Sequence, residues 1–255
     1  MNGERVLVTR AAEDQAALSA LLAARGATPV SLPCIAFAPP SDRGPLDEAV
    51  RALGRGERPD LVVIASPHAA RRFADELRGV DARGLRFAAV GPATAAALAA
   101  FGFEVALVPE SGAGAQSLAA GLAPLARGRS VLLPRAEEGN PELPSLIGEL
   151  GGRVQAVPLY RTVPAAAADP AAAALLRAGG IDAIAFASGS AARGFVGLFG
   201  AGAPALAAPA AVVCMGRWCA QAASAAGLRV DGAADGGLPE LVEKIAELVR
   251  ARRGR

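Results

Sequence analysis

The chain has 255 residues, 53% of them apolar, which is enough for one large or two ordinary domains with buried cores. Its longest apolar runs, such as residues 61–65, stop far short of the ~20 residues a membrane helix needs. A net charge of +2, and no basic stripe interleaved with aromatics, exclude a nucleic-acid binder; RARRGR, residues 250–255, is only a short basic end.

The opening MNGERVLVTR runs straight into a strand-like stretch, without the basic, apolar and small-residue order of a signal peptide, so the expected location is the cytoplasm. Cys34, Cys214 and Cys219 have no metal-ligand spacing and no even count. Reduced, partly buried thiols are therefore expected, with no disulfide framework and no metal site.

In chain order, residues 6–10 are β-rich, Leu18, Leu21 and Leu22 follow at helical spacing, Gly26 stops the helix, and residues 29–32 give another apolar run. This predicts a β-α-β unit in a parallel sheet. A proline-rich connection, FAPPSD at residues 37–42, leads into a larger α/β stretch. It holds DLVVIASPHAARRF (residues 60–73) and RFAAVGPATAAALAAFG (residues 86–102).

Residues 131–160 then restate residues 6–35, with nine of thirty ungapped positions identical, among them Arg10 with Arg135, Gly26 with Gly151 and Pro33 with Pro158. Leu143, Leu146, Ile147 and Leu150 mark the helix of this second copy, and Glu137, Glu138 and Glu142 are read as its solvated face. A second proline-rich connection, TVPAAAADP at residues 162–170, follows. DAIAFASGSAARGF (residues 182–195) repeats residues 60–73 at seven of fourteen positions. Next comes AAVVCMGRWCAQAASAAG (residues 210–227), where Gly216 falls 125 residues after Gly91. Leu238, Leu241, Val242, Ile245 and Leu248 stripe a closing helix. The reading is α/β with an internal duplication. This order permits two tandem domains or two domains that exchange their first units, and the equivalent proline-rich connections read as paired crossings.

In parallel sheets ligands gather beyond the carboxyl ends of the strands, where helix amino termini offer N–H groups and partial positive charge. The candidates there are Arg10 and Arg135 after the first strand of each copy, and Ser66-Pro67-His68 and Ser188-Gly189-Ser190 after the next. Gly91-Pro92-Ala93-Thr94 and Gly216-Arg217-Trp218-Cys219 follow the last. Ser66 and Ser188 read first as helix N-caps, a role compatible with holding anions. No G-x-G-x-x-G fingerprint or P-loop is present, so nucleotide binding is not expected. His68, the only histidine, reads by residue type as solvent-facing or capping. Tyr160, the only tyrosine, ends a strand where the first copy has Ile35, and its phenol can also hydrogen-bond a departing hydroxyl. Trp218 and Cys219, standing where the first copy has Ala and Thr, read as core packing or as a reshaped pocket wall.

Taken in order and spacing, VLVTR, VVIASPHAARRF, AAVGPATAAAL, VLLPRAE, VPLYRTV, AFASGSAARGF and the closing helix make the whole chain resemble the uroporphyrinogen-III synthase family. The resemblance implies two doubly wound parallel-sheet α/β domains, one inserted in the other and joined by a two-stranded connection, with the active site in the cleft between them. One domain would comprise residues 1–36 and 165–255, and the inserted one residues 37–164. The implied reaction closes linear hydroxymethylbilane, with loss of water and inversion of ring D, to uroporphyrinogen III in tetrapyrrole biosynthesis. It needs no cofactor, because the pyrrole's own electrons expel the hydroxyl. Hydroxymethylbilane synthase is implied as the upstream enzyme, and a monomer is expected.

Matched position by position, Tyr160 takes the place of the family's active-site tyrosine, Thr94 of a hydroxyl in the cleft, and Ser188 and Ser190 of the opposite domain's serines. Where the family usually has Pro and Thr, this chain has Arg217, Trp218 and Cys219, and Arg217 is the replacement partner for a substrate carboxylate. The remaining alternatives are a two-lobed tetrapyrrole-binding regulator without turnover and a periplasmic-type solute receptor. The retained Tyr160 opposes the first, and the missing export signal opposes the second.

Overall fold

A computed structural model describes residues 1–109, 115–139 and 142–253 of the chain. Strand β1 (Arg5–Val8), helix α1 (Ala16–Ala24) and strand β2 (Thr28–Ser31) open the chain. Strand β3 (Ile35–Ala38) leads to α2 (Gly44–Gly54), β4 (Leu61–Ile64), α3 (Pro67–Glu76), β5 (Arg86–Ala89), α4 (Pro92–Ala99), β6 (Glu104–Leu107) and α5 (Ala115–Ala126). The second half begins with β7 (Ser130–Ala136), α6 (Glu142–Glu149) and the long β8 (Arg153–Pro164). It continues through α7 (Pro170–Arg177), β9 (Ala183–Phe186), α8 (Gly189–Phe199), α9 (Ala203–Ala207), β10 (Ala211–Met215), α10 (Gly216–Ala225), β11 (Gly232–Ala234) and α11 (Leu238–Arg253). The last two residues of the basic tail lie outside the described residues.

The strands form two sheets, ordered β11-β10-β9-β1-β2 and β3-β8-β7-β4-β5-β6. In the first, β1 pairs in parallel with β2 on one side and with β9 on the other, so both ends of the chain build it. The residues divide into two compact units: residues 1–37 with the chain from 162 onward, and Ala38–Arg161.

Alternation along each strand explains why helices cover both faces. In the first unit Leu7, Ile184, Phe186, Val212 and Cys214 face one way, against Leu176, Phe195 and Ala223. The intervening Val6, Val8, Ala183, Ala185 and Val213 face Leu18, Leu22, Leu241 and Ile245. Period-2 strands with both sets apolar can only be buried on both sides. Each such Val, Leu or Ile contributes roughly 1.5–3 kcal/mol by leaving water. The second unit repeats the arrangement, with Leu61, Val63, Val131 and Leu133 packed on Leu118, Leu122, Leu143 and Ile147. On its other face the rings of Phe73 and Phe87 meet edge to face, 6.5 Å apart.

Two expectations about elements are corrected. Glu137 and Glu138 lie in the turn after β7, and only Glu142 is helical, because β7 runs on through Ala136. Residues 162–164, read as part of a proline-rich loop, belong to strand β8. Proline is usually excluded from central strands because it cannot donate to the ladder. Pro134 is tolerated in β7 because β4 pairs only with Val131 and Leu132, so the missing N–H lies beyond that ladder.

Among the described residues no helix is long and apolar enough to cross a membrane. The three cysteines are free and buried. Burial pushes the Cys34 thiol far up, and Cys214 is pushed the same way by hydrogen bonding with Cys219 and by burial, so both stay protonated.

Candidate active site

In the second unit the order β8-β7-β4-β5 sets the carboxyl ends of four neighbouring parallel strands side by side. Arg135, Ser66 and Thr94 stand at or just beyond those ends, and Tyr160 lies opposite Ala136 where the β7–β8 pairing stops, so strand order alone gathers four candidates from distant parts of the sequence. The expectation that Tyr160 ends its strand is corrected, because β8 runs on to Pro164.

Ser66 is extended, with φ −162° and ψ 155°, and its Oγ accepts a hydrogen bond from Ala69 N–H at 3.0 Å. Pro67 occupies the first helical position, where a missing N–H costs nothing. The N-cap reading therefore holds, and Ser188 repeats it in the first unit, accepting from Ala191 N–H at 3.2 Å. Thr94 sits buried in the first turn of α4, its N–H donating to Gly91 O at 3.1 Å.

His68 is not solvent-facing: only 5% of it is exposed. Its ring lies 4.6 Å from that of Tyr160 at an interplanar angle of 80°, an edge-to-face contact that fixes both side chains. Tyr160 itself is buried, anchored by its backbone carbonyl accepting from Glu137 N–H at 2.7 Å.

A cavity of about 250 Å³ opens beside Tyr160, lined by Ser66, Val90, Leu133, Arg135, Gly139 and Tyr160 among others. Arg135 is half-buried. Burial depresses its pKa, and the nearby Tyr160 works in the opposite direction. No ion pair is found for Arg135 among the described residues. The adjacent Glu137 carboxylate is turned to Ser41, accepting its N–H at 2.7 Å. A guanidinium pulled partly out of water, in a cavity with a phenol, is suited to receive a carboxylate.

In the first unit the candidates are placed differently. Arg10 is bound to its own turn: Nε donates to Asp14 O at 3.0 Å, and Nη2 meets Asp14 Oδ2 at 3.3 Å. Gly189 starts α8 hard against α10, where a Cβ would lie 2.6 Å from that of Ala222. Packing alone thus requires glycine there. Ser190 is half-buried in the same first turn of α8.

Gly216, at φ +75°, starts α10. Arg217 is exposed and lies 5.1 Å over the ring of Trp218. Trp218 is 66% exposed, which corrects its reading as core packing. Cys219 is the core group of this turn, its Sγ 3.4 Å from the Phe186 carbonyl it donates to. That burial removes the thiol from the surface where a ligand contact was expected.

Among the described residues no three His, Cys, Asp or Glu side chains are grouped to hold a metal ion. The residue that sequence reasoning missed is Gly139. Its only signal was the comparison of copies, in which it stands where the first has Asp14.

The family model described as uroporphyrinogen-III synthase HemD matches residues 16–236. The uroporphyrinogen-III synthase of Synechococcus elongatus is 32% identical over 199 residues, 76% of this chain and 74% of that protein. Among solved structures, a mutant uroporphyrinogen III synthase from the extremely thermophilic bacterium Thermus thermophilus superposes with a TM-score of 0.59 at 22% identity, covering 98% of this chain and 100% of that one. The uroporphyrinogen-III synthetase of Helicobacter pylori gives a TM-score of 0.62 at 16% identity, covering 97% of this chain and 100% of that one. At such identities the two structures speak for the fold alone.

Proposed function

The chain belongs to the uroporphyrinogen-III synthase family, and from that premise we propose that it closes hydroxymethylbilane to uroporphyrinogen III, with Tyr160 assisting departure of the hydroxyl. The observation that carries the reading is the seat of Tyr160: the chain's single phenol, buried where the β7–β8 pairing stops, against His68 and beside a cavity that contains a guanidinium.

The chemistry asks little of the protein. The terminal pyrrole's nitrogen lone pair expels the hydroxyl, which leaves as water after taking a proton. The resulting electrophile is attacked by the substituted carbon of ring D, giving a spiro intermediate from which the ring is inverted. An ordinary phenol titrates near about 10, so at neutral pH it remains a hydrogen-bond donor toward such a leaving group. The harder task is holding a flexible linear molecule against unguided closure, which is a matter of orientation.

Acetate and propionate arms supply the handles. Their proposed receivers are Ser66, His68, Thr94 and Arg135 in the second unit, and Ser188, Gly189, Ser190 and Arg217 in the first. Arg10, already tied to Asp14, and Cys219, buried in the core, have the weakest claims of the residues considered.

The test is a coupled assay in which hydroxymethylbilane synthase supplies the substrate and the uroporphyrinogen isomers are separated. Excess of isomer III over the spontaneous isomer I is expected. Isomer I alone, from a folded protein, would reject turnover and favour a tetrapyrrole-binding regulator.

A further inference from the structure

The two copies of the strand-turn segment treat their arginines in opposite ways. VLVTRAAED places Asp14 four residues after Arg10, and VLLPRAEEG places Gly139 four residues after Arg135. Asp14 neutralises Arg10 at 3.3 Å. Gly139 does the reverse. A Cβ built there would stand 2.7 Å from Arg135 Nε and 2.9 Å from Cζ, and closer still to Nη2. The guanidinium occupies the space a side chain would fill. Gly139 is not among the glycines with positive φ, so this space, not backbone conformation, is what distinguishes the position.

The cavity also sets a scale. At about 250 Å³ it falls below the ~300–1,000 Å³ of sites that enclose a drug-sized ligand, and it is too small for four linked pyrroles. It can take one ring with its arms.

We propose that this cavity is a one-ring subsite in which Arg135 receives an acetate or propionate carboxylate of the ring whose hydroxyl Tyr160 serves, and that Gly139 is the residue that keeps Arg135 open. The inference rests on the function proposed above. It deepens that reading by making the two units unequal: Arg135 is a ligand receptor, whereas Arg10 holds its own turn. Arg135 and Tyr160 line one wall, so a carboxylate held by the first fixes where the ring's hydroxymethyl group meets the second. Gly139 acts only through Arg135 and is a positioning residue.

The probe is a stable monopyrrole bearing one acetate and one propionate arm, titrated into the full chain. Because the chain has one histidine and one tyrosine, the ring resonances of His68 and Tyr160 report this cavity without ambiguity. Saturable shifts are expected with the diacid and not with its dimethyl ester. Arg135→Gln and Gly139→Asp should each weaken binding tenfold or more, about 1.4 kcal/mol. Combined with Arg135→Gln, Gly139→Ala should add no further loss, since its uncharged methyl acts on the guanidinium it displaces. Gly139→Ala, which only displaces the flexible end of Arg135, should also weaken binding while leaving the unfolding midpoint near that of the parent. Asp14→Gly should bind as the parent does.

No saturable shift in the parent, equal binding of the ester, or parental binding by Arg135→Gln would overturn the receptor. Parental binding by folded Gly139→Asp and Gly139→Ala would overturn the part assigned to Gly139. Failure of the underlying reading looks different: the monopyrrole binds and the variants weaken it, yet the parent forms no isomer III.

Discussion

Replacing Tyr160 by Phe deletes one hydroxyl and leaves the ring that packs on His68. The pyrrole supplies most of the driving force. Turnover should therefore fall on the order of 10- to 1000-fold rather than vanish, toward the lower part of the range for general-acid assistance. Thr94→Val, nearly isosteric at a site 2% exposed, should cost less than about tenfold, since one contact among many is lost. Initial rates of isomer III formation, alongside matched circular dichroism, check both. A Tyr160→Phe protein with the parental rate would end the donor role. Some of this was legible beforehand. Strand-end serines followed three residues later by a backbone donor are a local motif, so the caps at Ser66 and Ser188 could be read directly. The burial of His68, the exposure of Trp218 and the service of Gly139 were not legible, because each depends on what a remote segment places beside it.

At the scale of elements, hydrophobic period identified the β-α-β units and the helix stripes, since alternation and 3.6-residue spacing are local properties. It failed at the end of β8, where Pro164 imitates a loop until the neighbouring strand β3 is known. Close approach escapes it too. Helix α8 crosses the segment after β2 so tightly that a Cβ on Gly194 would run into the carbonyl oxygen of Cys34 and stand 3.2 Å from Ile35 Cγ2. The other copy has Arg72 at the matching position, so composition gave no warning. Gly194→Ala should destabilise by roughly 1–3 kcal/mol, as overpacking does, read as a lowered denaturant midpoint; an unchanged midpoint would mean that α8 shifts freely.

Strand β11 is held by charge. Asp231 accepts Val212 N–H at 2.8 Å and pairs with Arg229 at 3.0 Å and Arg252 at 3.1 Å. Burial pushes its pKa up, but the Val212 N–H and the two guanidinium groups outweigh that, so the net shift is downward. A carboxyl lowered by folding contributes stability that is present above its unfolded pKa and is lost as pH falls through the folded one. Asp231→Asn should accordingly lower stability at neutral pH and flatten its decline on acidification below about pH 4. Parallel stability-against-pH curves for parent and variant would count against this anchor.

For the whole molecule, the boundary between units is crossed at two points only, 37 to 38 and 161 to 162. In each unit the cut ends lie together. Arg161 Nε donates to Pro39 O at 3.2 Å in the second, and Ala165 N–H donates to Cys34 O at 3.1 Å in the first. Each unit also has a helix-covered parallel sheet and its own apolar clusters. Neighbouring ends and a private core are the conditions under which a segment can be excised without a large loop-closure cost. Residues 38–161 alone, and the remainder joined by a short Gly-Ser linker in place of that segment, should each fold with helical circular dichroism and a cooperative unfolding transition. The excised segment turns β8 into an open edge where β3 had stood, so its concentration must be kept low to limit strand-edge association. If the subsite lies in the second unit as proposed, the excised segment should still show saturable monopyrrole shifts at Tyr160, whereas the linked remainder, which lacks Tyr160 and Arg135, should bind the monopyrrole far more weakly. A non-cooperative transition in both pieces would show that neither core suffices alone and that each unit needs the other to fold.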